Sequence, residues 1–197
     1  MGCRVIRFKS FVPAFFGAVL IITIALLLFM WHQHNQVSDR VQIALSHQIS
    51  DLYVDLIRAS RDLDVIIADP GGDLELRLTT ARLALGSPPT DTISALDTSR
   101  YNSESNAWSH IFYGIQAAYH TVYNATIQWH QTQEVDPDTL ERMKTARDFL
   151  NIAVETLRFP DGSTTQEGLE HVLDQERLSP LVDHAREYSS QADLPGL

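Results

Sequence analysis

The chain has 197 residues, with 15 Lys and Arg against 25 Asp and Glu and a single cysteine, Cys3. Every acidic residue lies beyond position 31, so residues 32–197 hold 25 acidic and 12 basic side chains, a formal charge of −13. Such a body is a poor match for nucleic acid or anionic lipid, which recruit clustered Lys and Arg. Without a thiol it also has no disulfide, thiolate nucleophile or Cys-ligated metal.

Residues 1–10 form a short basic segment carrying Arg4, Arg7 and Lys9. Phe11 to Trp31 then runs 21 residues without a charge, and its only polar side chain is Thr23. At about 1.5 Å per residue this is roughly 31 Å of helix, close to the hydrocarbon thickness of a bilayer. Pro13 sits in the first turn, where a missing N–H is tolerated. A cleaved leader has a shorter apolar core that closes on small residues, whereas this one closes on Leu28-Phe29-Met30-Trp31. Residues 11–31 are therefore expected to stay as a transmembrane signal anchor with the lipid bilayer as partner and Trp31 as interfacial ring. The basic flank places the amino terminus in the cytoplasm and residues 32–197 outside a bacterial cell membrane. Met1-Gly2-Cys3 does not make a myristoylation start, because position 6 is Ile6 where Ser or Thr is needed.

The body reads as helices throughout. Leu45, Ile49, Leu52, Leu56, Ala59, Leu63 and Ile66 step by 4 and 3, which predicts a helix from about Val37 to Ala68. Asp69-Pro70-Gly71-Gly72 is a turn, and Asp73 is the expected cap of a second helix bearing Leu74, Leu78, Ala81 and Leu85. Thr90 or Asp91 would cap a short continuation to about Ser99. Trp108, Ile111, Ile115, Ala118, Val122, Ala125 and Trp129 mark the third long helix. Asp136-Pro137 combines a cap with proline at the first helical position and opens a fourth, with Leu140, Met143, Leu150, Val154 and Leu157 as its stripe. Ser163 with Gln166 is a capping-box pattern for a fifth, which Ser179-Pro180 should kink or split. Gln191 to Leu197 reads as a frayed tail.

The expected fold is thus all-α: one transmembrane helix, then an antiparallel four- to five-helix bundle over residues 32–190 and a disordered tail at 191–197. Short connectors favour antiparallel neighbours. The first stripe would also serve to zip a homodimer into a parallel stalk; since a matching stripe lies downstream behind a turn, one chain packing on itself accounts for both. The order of elements is similar to that of the sensory module of bacterial chemoreceptors, a likeness of architecture alone, and no apolar run after Trp31 could return across the membrane.

No hydrolase, metalloprotease, phosphate-loop, dinucleotide or EF-hand motif occurs. The eight histidines include no pair three or four residues apart, so no helical metal face is expected, and Glu167/His171 and His130/Glu134 read as surface pairs. Asp62 and Asp64 should point to different faces and form no catalytic dyad. No cofactor is implied. Seven of the body's 11 aromatic residues fall between Tyr101 and Trp129. Beside the core stripe runs a second row of Phe112, Gln116, Tyr119, Tyr123, Thr126 and His130. Rings with polar tips suit a half-buried edge. Phe112 is expected in the core, whereas Tyr119, Tyr123 and His130 are the candidates for contact with a protein partner or small ligand. The functional expectation is a membrane-anchored, non-enzymatic interaction or sensing protein; the alternative is an accessory enzyme or metal-binding helical module whose site forms only in three dimensions.

Overall fold

The computed structural model describes the backbone of residues 11–86, 96, 106–160 and 166–191, and the side chains of these except 11–22, 33–39 and 166. The expected basic segment 1–10, the caps Thr90 and Asp91, the Ser163–Gln166 box and residues 192–197 of the expected tail lie outside that description. Six helices and no strand occur among the described residues, so the fold is all-α: α1 (Phe11–Ala68), α2 (Leu74–Leu85), α3 (Ala107–Thr132), α4 (Pro137–Thr156), α5 (Gln166–Val172) and α6 (Gln175–Gln191). The chain divides into two compact units, residues 1–42 and 43–197.

Read from sequence, the apolar run and the stripe from about Val37 are separate elements; in the structure α1 is one helix of 58 residues. The join, His32-Gln33-His34-Asn35-Gln36, holds neither proline nor glycine, so nothing stops a helix already nucleated on either side. Among the described residues no helix is long and apolar enough to cross a membrane. Residues 11–22, more than half of the 21-residue uncharged run, carry no described side chains.

In the second unit the expected stripes are the core. Leu45, Ile49, Leu56, Ala59, Leu63 and Ile66 of α1 are buried, as are Leu74, Leu78, Ala81 and Leu85 of α2 and the α3 row from Trp108 to Ala125. Leu52, Trp129, Leu140 and Val154 pack against this core at partial exposure. Helix α3 is the hub: its most extensive packing is against α6, and α2 and α4 also lie on it.

The connections show where local chemistry decides. Asp69 folds the first turn by accepting from Gly71 N at 3.2 Å. Asp73 occupies the N-cap position of α2 but makes no side-chain cap bond. Its ψ of 51° lies outside the extended region from which a capping carboxylate reaches back over the first turn. Asp136 behaves as its sequence predicts: with ψ 161° its carboxylate accepts from Thr139 N at 2.7 Å, and Pro137 follows. That backbone bond, joined by one from Gln128, holds the Asp136 carboxyl below its ordinary value. Pro180 neither splits nor ends α6. The break falls earlier, at Asp174, whose carboxylate accepts from Glu176 N and Arg177 N and starts a new helix there. Helix α6 runs through Gln191, one residue into the expected tail.

Side chains tie α1 to its neighbours. Buried Asp62 accepts from Arg77 Nη1 at 2.7 Å and Thr80 Oγ1 at 2.5 Å on α2. Asp64 instead meets Arg147 of α4 at 3.1 Å, so the two acids do point to different faces. Arg177 closes the open end of α4: Nε donates to the Thr156 carbonyl at 2.9 Å, and Nη2 to those of Glu155 and Arg158. A guanidinium at a helix C-terminus satisfies orphan carbonyls and opposes the negative end of the dipole.

Tyr188 of α6 is buried, with its hydroxyl 3.4 Å from Thr121 Oγ1. Burial pushes its phenol up from 10.0 to about 12, against a small opposing effect of the Thr121 contact. Folding raises this pKa, so the unfolded chain gives up the proton first. Stability should be intact below pH 10 and fall as pH rises from 10 toward 12, by roughly 2–3 kcal/mol in all. Urea unfolding across that interval checks it, and Tyr188→Phe should flatten the profile. A slope unchanged in Tyr188→Phe would assign the alkaline loss to other groups.

Candidate interaction face

The second row on α3 is not uniform. Phe112 is half-buried and packs on the core, as expected. Thr126 is buried, its hydroxyl turned back to the Val122 carbonyl at 2.8 Å. Tyr119 also packs on the core at partial exposure, whereas Tyr123 is 38% exposed. Their rings stack with centroids 6.0 Å apart and planes 14° from parallel. His120 meets the Tyr119 ring edge-on at 5.5 Å.

Tyr119 lies against the end of α2. That helix ends at Gly86, where an added β-carbon would stand 3.3 Å from the Tyr119 ring. The ring therefore lies on a bare Cα, whereas Tyr123, one turn further along α3, keeps part of its surface open. The result is a short aromatic shelf with one ring seated and one presented. His130 is exposed but lies seven residues beyond Tyr123, about 10 Å along the axis, and no ring contact joins it to the tyrosines among the described residues. The structure thus brings together two of the three candidate residues. Of the residues placed at the membrane flank, Trp31 is 64% exposed, and Arg4, Arg7 and Lys9 lie outside the described residues.

Sequence reasoning missed the edge-on seating of the His120 ring on Tyr119, because neighbours one apart do not ordinarily share a helix face. It also missed a groove of about 500 Å³ between Trp129 and the first turn of α2, from Asp73 to Leu76. The indole N–H of Trp129 is sealed from solvent there and has no hydrogen-bond partner among the described residues. Of the expected Glu167/His171 surface pair, the His171 ring contacts the Arg177 guanidinium. No group of three His, Cys, Asp or Glu placed to hold a metal occurs among the described residues.

The class that fold and face define is an all-α helical bundle with an aromatic shelf on its hub helix. No protein-family model, curated protein or solved structure matches the chain.

Proposed function

We propose that this is a membrane-anchored, non-enzymatic interaction or sensing protein, displaying an antiparallel helical bundle outside a bacterial cell membrane. One observation carries the anchoring. Seven large apolar side chains within eight residues, Ile24 and Leu26 to Trp31, are 47–66% exposed. A helix apolar on every side is unfavourable in water and at home in hydrocarbon. The basic flank ahead of it, Arg4, Arg7 and Lys9, supports the orientation. On the body, the Tyr119–Tyr123 shelf is the surface on which a protein partner or small ligand would rest, because tyrosine offers a large rigid contact with a polar tip.

Two measurements test this. Membranes washed with alkaline carbonate should retain the chain, and protease added outside intact spheroplasts should digest the body; release into the wash would refute the anchor. For the shelf, urea unfolding of the full-length protein in mild detergent should separate the tyrosines. Tyr119→Ala is expected to cost roughly 1–3 kcal/mol, part of what a fully buried ring costs, and Tyr123→Ala no more than about 0.5 kcal/mol. Equal, large losses at both positions would make the shelf an edge of the core and remove it as a contact surface.

A further inference from the structure

Arg177, in the first turn of α6, stands where three helices meet, and every acceptor its side chain reaches is neutral. Its Nε donates to the Thr156 carbonyl, its Nη2 to those of Glu155 and Arg158, and its Nη1 meets Nε2 of the His171 ring on α5. No carboxylate pairs with this guanidinium among the described residues. A guanidinium has only donors. The contact with His171 therefore needs a lone pair on Nε2, which a neutral imidazole with its proton on Nδ1 supplies and an imidazolium does not.

A second proton on His171 removes the acceptor and sets two cations side by side. Histidine is the side chain that ordinarily makes this change between about pH 8 and 5. The other ionisable residues beside it in the chain or bonded to Arg177 are Glu167 and Glu170 on α5, Asp174 in the break, Glu176 on α6, and Glu155 and Arg158 at the end of α4. The Asp174 carboxylate is committed to Glu176 N and Arg177 N. The four glutamates favour an imidazolium and Arg158 opposes it, but all five are exposed, and water screens such charges. Direct contact with Arg177 outweighs them. His171 is itself exposed, so the result is a loosening and not a collapse. Leu169 and Val172 of α5 and Leu173 after it are buried, and a loosened junction uncovers them.

We infer that His171 and Arg177 form an acid-sensitive clasp, closed while the imidazole is neutral and loosened by acid so that α5 and the start of α6 open from the end of α4. The sense follows from the lone pair: the junction is held at neutral pH and weakens as pH falls through the range in which histidine takes its second proton. On the sensing reading above, acidity outside the cell is the stimulus; the clasp itself stands without that reading.

Hydrogen exchange read by mass spectrometry tests this on the full-length protein in mild detergent, with rates corrected for the pH dependence of free peptides. The reporters are the Leu173 and Leu178 amides, which donate to the Leu169 and Asp174 carbonyls at 2.9 Å. Between about pH 7.5 and about pH 5.5, above the ordinary carboxylate range, their protection should fall at least about fivefold, a modest effect that suits an exposed contact. Amides in the middle of α3 should change by less than about twofold, since opening is local. His171→Gln keeps a neutral acceptor and cannot titrate, so its junction should be equally protected at both pH values. Arg177→Gln removes the cation and should show lower protection that no longer depends on pH. An equal loss in α3 would mean general acid unfolding, and a fall that survives either substitution would assign the effect to the carboxylates. Either result overturns the clasp, as does an unaltered chain whose junction is equally protected at both pH values.

Discussion

Phe149→Ala should lower the stability of the body by about 3–5 kcal/mol, the range for deleting a fully buried ring and leaving its cavity. Phe149 is wholly buried on α4 and heads the largest such side chains of the core. Its ring stacks on Tyr188 at 5.1 Å and on His184 at 6.4 Å, both from α6. It also lies over Gly114 of α3. One truncation therefore loosens the meeting of three helices, and little slack exists for the walls to collapse. Urea unfolding should show a lowered midpoint at unchanged slope, the mark of a change in stability alone. A loss under about 1 kcal/mol would mean the ring is not the keystone this packing makes it.

Gly114→Ala should also destabilise, although alanine is the better helix former by about 1 kcal/mol. A β-carbon at 114 would stand 2.5 Å from Phe149 Cζ and 3.2 Å from the Ala185 β-carbon. The ring is held from the α6 side by Tyr188 and His184 and cannot step back freely. Overpacking of this kind costs about 1–3 kcal/mol, and Gly114→Val should cost more. The two predictions meet in a double-mutant cycle. In a Phe149→Leu background the space over Gly114 opens, so Gly114→Ala should become neutral or stabilising, a coupling of roughly 1–3 kcal/mol. Additive effects would show that the two sites do not touch.

What sequence could and could not reveal is visible in these residues. The 3.6-residue period placed the buried rows of α1, α2 and α3, because burial on a helix repeats locally. Asp136-Pro137 was legible for the same reason: cap and acceptor lie three residues apart. Gly114 carried no such signal. Its need for a bare Cα is set by a ring 35 residues later and a methyl group 71 residues later. Arg177 likewise reads as a surface base until α5 and α6 carry it to the end of α4. The break at Asp174 was hidden because Ser179-Pro180 looked the stronger breaker, whereas an aspartate placed to cap is decisive. Tyr119 and Tyr123 are the same residue in the same row, and the seat of the Tyr119 ring against Gly86 is set by another helix.

The place of α6 in the chain has a consequence for biosynthesis. Ala185 and Tyr188, the α6 residues that close over Gly114 and Phe149, are translated well after the hub helix they cover. From the end of α3 to the end of α6 is 59 residues, Gln133 to Gln191. At about 5–20 residues per second that stretch takes about 3–12 s to make. Through that interval the α6-facing side of α3, including Gly114 and Thr121, has no native cover. A nascent chain in this state is a client for a holding chaperone, and the last helix to emerge decides when it ceases to be one.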